Sequence, residues 1–150
     1  MQKVIVLLAG VIITGILSFV LLSVFRPSPE DQAIEAVAAF YTYEQNGNFE
    51  KSWAMFHPYM KARYAKARYL QDRAGVFASH FEVDTFSFST GEAVKQENWK
   101  PDDDAETIEV VYQVPVRMHY AGKYGNVTVV QNAFAAEMGD QWMILWNYKQ

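Results

Sequence analysis

The sequence predicts an α+β domain carried behind an N-terminal transmembrane helix, with three helical segments followed by a meander of antiparallel strands. Three observations carry this. From Val4 to Phe25 the chain runs 22 residues without a charge, 17 of them apolar. Between Pro29 and Ser79 apolar residues recur at helical spacing. From Phe81 onward they alternate with polar residues at a period of two.

As a helix, Val4–Phe25 would be roughly 33 Å long, enough to cross the hydrocarbon core of a bilayer. A soluble helix of that length carries a polar face, and this run has none. A cleaved signal peptide would have a shorter apolar region and a small-x-small cleavage site; Ser23-Val24-Phe25-Arg26 is a poor one. The expected division is a short tail at 1–3, an anchor at 4–25, a linker at 26–28 and one domain at 29–150. Lys3 and the terminal amine lie on one side of the run and Arg26 on the other, so the positive-inside rule places the N-terminus in the cytoplasm and the domain outside it. Gly10 and Gly15 lack the spacing of a helix-pairing motif.

Beyond the anchor, roughly 46% of the residues are apolar, a globular figure that excludes disorder, collagen-like repeats and a coiled coil. The absence of cysteine excludes disulfide scaffolds, Cys-based zinc sites, thiol catalysis and lipid attachment through Cys. A net charge of -4 argues against a general nucleic-acid binder, and the abundant aromatics read as core packing for a sheet on helices. No cofactor is expected.

The elements follow in order. Ser28 as N-cap, Pro29 at the first helical position and Glu30 and Asp31 in the first turn open a helix with almost no linker before it. Ile34, Val37, Ala38 and Tyr41 carry it to about Asn46, where Gly47 stops it. Asn48 is expected to cap a second helix through Trp53 and Phe56, ended by Pro58. A third helical stretch covers about Met60–Ser79, with a break near Tyr64–Lys66 where the apolar face is interrupted. Phe81–Phe88 reads as a strand with a bulge at Thr85–Phe86, and Ala93–Trp99 as a weaker one. The clearest alternation is Val110, Tyr112, Val114, Val116, Met118 and Tyr120, with Gln113, Arg117 and His119 opposite; Pro115 implies an edge or a bulge. Turns at Gly122–Gly125 and Gly139-Asp140 separate strands over Asn126–Met138 and Gln141–Lys149.

This order, with Gly47-Asn48-Phe49-Glu50-Lys51-Ser52-Trp53 after the first helix, His57-Pro58, and the closing Trp142-Met143-Ile144-Leu145-Trp146, resembles the nuclear transport factor two-like, or cystatin-like, superfamily over about Pro29–Tyr148. The nearest look is to small anchored bacterial domains and to the non-catalytic N-terminal domain of some penicillin-binding proteins. The resemblance implies a long helix held in a strongly curved antiparallel sheet, a half-open cone. That fold hosts isomerases, dehydratases, ligand pockets and pure interaction modules.

In such a cone the mouth is where an active site would sit. Isomerases of this fold use an Asp base with Tyr and protonated Asp as oxyanion donors. Asp84, Tyr41 (or Tyr43) and His119 are the candidates here, set against a solvent-facing Asp84 and core tyrosines. His57, His80 and His119 lack local ligand spacing, so no metal site is expected. Asp102-Asp103-Asp104, with Glu106, lacks the spacing of a calcium loop and reads as a solvated tip. Asn126-Val127-Thr128 matches a glycosylation sequon, a common tripeptide. Charge is uneven: Lys51, Lys61, Arg63, Lys66, Arg68 and Arg73 face only Asp72 in their stretch, whereas Glu82–Glu109 is strongly acidic. Lys61, Arg63, Lys66, Arg68 and Arg73 form a candidate surface basic patch for anionic headgroups or wall polymer, against the plain alternative of a solvated helix. The leading expectation is a non-enzymatic, single-pass membrane protein whose extracytoplasmic domain contacts a membrane or envelope protein and no nucleic acid. The alternatives are a small-molecule or isomerase-type pocket in the cone, and a homodimer through the open sheet face.

Overall fold

The structure, a computed structural model, describes residues 27–80, 85–122 and 125–147, without the side chains at 74 and 76–80. The expected anchor at Val4–Phe25, the Phe81–Asp84 part of the first expected strand and the last three residues lie outside them. Among the described residues no helix is long and apolar enough to cross a membrane.

Among the described residues four helices, α1 (Pro29–Gln45), α2 (Phe49–Ala54), α3 (Pro58–Arg63) and α4 (Lys66–His80), precede five strands, β1 (Ser87–Thr90), β2 (Val94–Trp99), β3 (Ile108–Gly122), β4 (Gly125–Met138) and β5 (Gln141–Trp146). The result is an α+β domain with its helical part packed on one antiparallel sheet.

Local chemistry sets the helix ends. Ser28 Oγ accepts from Asp31 N at 3.1 Å while the Asp31 carboxylate accepts from Ser28 N at 3.2 Å, a complete capping box with Pro29 in the first turn. At the other end Gly47 takes φ 68°, and the bonds Asn48 N to Tyr43 O and Gly47 N to Glu44 O form a Schellman stop. Two expectations shift by a few residues. The Asn48 side chain makes no capping bond, and Pro58 opens α3 instead of closing α2. Its missing N–H costs nothing in a first turn, and His57 Nδ1 accepts from Tyr59 N at 3.2 Å as the cap. The break at Tyr64–Ala65 between α3 and α4 falls where the interrupted apolar face placed it.

β3 is the spine of the sheet. It pairs with β4 on one side over eleven residue pairs, from Tyr112↔Ala135 to Gly122↔Gly125. On its other side β1 and β2 lie end to end, β1 along Val116–His119 and β2 along Ile108–Gln113. They amount to one strand broken at Gly91–Ala93: from Thr90↔Val116 to Val94↔Gln113, four steps on the edge match three on β3. Pro115 is the cause. Its carbonyl accepts from Gly91 N at 2.8 Å, so its donor-less nitrogen is turned to the same side, where no regular ladder forms. The bulge is therefore at Gly91–Ala93. β4 returns to β5 through Gly139-Asp140, with Gly139 at φ 62° in the first central position of the two-residue turn.

The face of β3 bearing Tyr112, Val114, Val116, Met118 and Tyr120 is buried and lies under α1. Tyr41 of α1 reaches Gln131 of β4, and Gln32 reaches Trp142 of β5. Phe56 joins helices to sheet: the link Met55–His57 bridges the outer edge of β5, with Ile144 N donating to Met55 O and His57 N to Ile144 O. Its ring meets Phe40, Tyr69 and Trp146 at centroid distances of 5.1, 5.2 and 4.9 Å. The opposite face is split. Towards the β3–β4 hairpin it is exposed at Arg117, His119, Thr128 and Val130; towards the other end Val111, Phe134, Ala136 and Leu145 are buried, with Trp99 stacked on Phe134 and Pro101 folded in.

Phe56→Ala should cost about 3–5 kcal/mol in a urea titration, whereas Val130→Ala on the exposed face should stay within about 0.5 kcal/mol of wild type.

Candidate functional site

The apolar stripe of α1 (Ala33, Val37, Phe40, Tyr41) ends in a charge, Glu44, which is only 1% exposed. An isolated carboxylate there would cost several kcal/mol, so donors must surround it. Ser52 of α2 and Tyr69 of α4 both donate to Oε1, the latter at 2.5 Å. Arg73 reaches Oε2 through Nε at 2.5 Å and through Nη2. These four N–H and O–H groups fill the roughly four lone-pair positions of a carboxylate. Burial, and then the Glu44 charge, push the Tyr69 phenol far above its usual range, so it stays protonated and donating. Glu44 outweighs burial at Arg73 and keeps the guanidinium charged. The cluster holds α1, α2 and α4 together, and its carboxylate has no lone pair left to act as a base.

The residues nominated for acid–base chemistry are not brought together. Tyr41 is 1% exposed under α1, its hydroxyl donates to Gln131 Oε1 at 3.2 Å, and burial raises its pKa. His119 stands on the exposed face of β3, with Nδ1 2.9 Å from Thr128 Oγ1. The sheet separates these two side chains, because odd and even positions of β3 face opposite ways. Asp84 lies outside the described residues.

Of the three histidines, His57 and His119 lie on different elements, and the side chain of His80 is outside the described residues. His57 is 8% exposed and spends Nδ1 on the α3 cap; burial, and then Lys61, lower its pKa. Among the described residues no three His, Asp or Glu side chains are grouped to hold a metal ion. The acidic loop is locally ordered, with Asp104 N donating to Asp102 Oδ1 at 3.2 Å, and Glu106 accepts from Tyr59 at 3.4 Å across a groove of about 570 Å³ that Arg63 also lines.

Of the five basic residues, the structure turns one away from the surface and brings two together at Trp53. Arg73 is turned inward by Glu44, so it is not the surface cation expected from its position in a basic stretch. Lys61 donates to Ala54 O and lies 5.3 Å from the Trp53 ring centre. Lys66 lies 5.9 Å from the same ring and pairs with Glu50 at 3.3 Å. Arg68 pairs with Asp72 one turn along α4, both exposed.

A second groove, of about 450 Å³, opens at the N-terminal end of α1. Pro29, Ile108, Val110 and Tyr112 give it an apolar wall, and Lys95, Glu109 and Glu137 a charged one. Lys95 is held by Glu97 at 2.7 Å, which raises its pKa and lowers that of Glu97.

Sequence reasoning missed Glu44, Ser52 and Tyr69. The signal was present: Glu44 continues the Val37–Tyr41 stripe at helical spacing, a charge on a core-facing position. No protein-family model and no curated protein matches the chain.

Arg73→Met should destabilise by about 3–5 kcal/mol in urea, because a buried carboxylate loses its counter-charge; adding Glu44→Gln should recover much of the loss. His57 gives a pH dependence of definite sign. Its folded pKa lies below the ordinary 6.5, so the unfolded chain binds the proton first and stability falls as pH drops below 6.5 towards the folded value. His57→Asn, which keeps a capping side chain, should flatten that part of the profile in urea titrations between pH 7.5 and pH 5 (about the window where histidine titrates).

Proposed function

We propose that the chain is a single-pass membrane protein, N-terminus in the cytoplasm, whose domain lies outside the cytoplasm and acts without catalysis, by contact with a membrane or envelope protein close to the bilayer. The domain is read as cystatin-like. Support for that comes from the order of elements, helices first and a long antiparallel meander after, with α1 laid along one face of the sheet.

The observation that carries the reading is the start of α1. Only Arg26, Pro27 and Ser28 separate it from the charge-free run, about 14 Å from Phe25 to Pro29 at full extension. The capping box fixes that end of the helix, and the Gln32–Trp142 contact fastens it to β5. A domain tied so closely stays at the membrane surface and meets partners that are there too.

A small-molecule or isomerase-type pocket needs polar groups that converge and remain free. Inside this domain Glu44 is saturated by its own neighbours, Tyr41 is spent on Gln131, and Phe40, Phe56, Tyr69 and Trp146 pack ring against ring. These features favour the contact reading over the pocket.

The chain has no native thiol, and Ser89 is exposed on β1. Ser89→Cys should react with an impermeant maleimide on intact cells, with the protein retained in membranes after alkaline washing. Reaction only after lysis would reverse the orientation, and release by alkali would remove the anchor.

A further inference from the structure

We propose that the groove at the foot of α1 is a lipid-headgroup site that takes the ammonium group of an ethanolamine phospholipid from the leaflet next to the domain; this rests on the membrane-anchored reading above.

Position comes first. Pro29 forms part of the groove wall and lies within about 14 Å of chain from the end of the apolar run. The headgroup layer of one leaflet is roughly 5–8 Å thick. The groove therefore opens at the level of the headgroups or just above them.

Its chemistry selects among them. Ile108, Val110 and Tyr112 offer an apolar wall, backed by the Trp142 ring at 5.5 Å from that of Tyr112. Rings with one apolar and one polar edge suit the membrane interface. Lys95 is already committed to Glu97, and Glu30 adds to the negative field around it. Glu109 and Glu137 have no ion-pair partner among the described residues. The groove thus carries excess negative charge. It repels anionic headgroups and attracts an ammonium, and an ethanolamine ammonium, unlike choline, also donates hydrogen bonds to carboxylates.

The test uses the full chain in lipid nanodiscs, with Ile108 replaced by the photo-crosslinking residue benzoylphenylalanine. Discs contain phosphatidylcholine with equal amounts of phosphatidylethanolamine and phosphatidylglycerol, and adducts are identified by mass spectrometry. Ethanolamine-lipid adducts should exceed glycerol-lipid adducts about fivefold, the weight of one charge near the surface. Glu109→Gln with Glu137→Gln should abolish that preference. A control residue at Ala121, at the far end of β3 and roughly 43 Å along the strand, should give no lipid adduct. Equal labelling of all headgroups, or no adduct from a chain that still resists alkaline extraction, overturns the headgroup site and leaves the anchor standing. Extraction by alkali overturns both. If the Ile108 variant does not fold, benzoylphenylalanine at Val110, which lines the same groove, serves instead: the same excess of ethanolamine-lipid adducts is expected, and its absence overturns the proposal.

Discussion

A carboxylate placed where water does not reach dictates what surrounds it, and Glu44 does this for the helical half of the domain. Its position on the last turn of α1 requires donors from other elements, since the neighbouring helix carbonyls are acceptors. Ser52 brings in α2, and Tyr69 and Arg73, one turn apart, bring in α4. Once those helices are fixed, the space between them and β5 is what Phe40, Phe56 and Trp146 fill. The polar cluster gives the helices their relative setting and the rings supply most of the burial. The rings keep water away from Glu44, and the donors around Glu44 tie α2 and α4 to α1.

Periodicity made most of the fold legible. The β3 alternation, the glycine stop after α1, the break at Tyr64–Ala65 and the Gly139-Asp140 turn stand where the sequence puts them, because each rests on a local preference. Local reasoning went astray where a residue has two uses. Proline ends a helix or begins one, and at Pro58 the capping imidazole of His57 decided for beginning. Pro115 signalled a bulge, but the extra residue sits on the partner strand at Gly91–Ala93, which no reading of one strand could locate.

The functional residues were harder to read, for a physical reason. Charge summed along a segment ignores direction: Arg73 counted towards a basic surface although its guanidinium points at Glu44. Proximity in sequence likewise says nothing about which side of a sheet a residue takes, and that divides Tyr41 from His119. The groove at the foot of α1 is assembled from Pro29, Lys95, Val110 and Glu137, which lie on four different elements, far apart in sequence. Polar residues that close on one another read the same, in sequence, as polar residues that await a ligand.

The broken edge formed by β1 and β2 has a consequence for crowding. A long, flat, unpaired strand is a template on which a second molecule can add, and repeated addition leads to fibres. Here the edge is cut into pieces of four and six residues at Gly91–Ala93, carries the charged Lys95 and Glu97, and twists out of line at Asn98, where φ is 54°. The opposite edge, along the six-residue β5, is bridged at Ile144 by the Met55–His57 link. Neither margin offers a clean ladder, so the domain can be packed densely against its own kind with little tendency to polymerise.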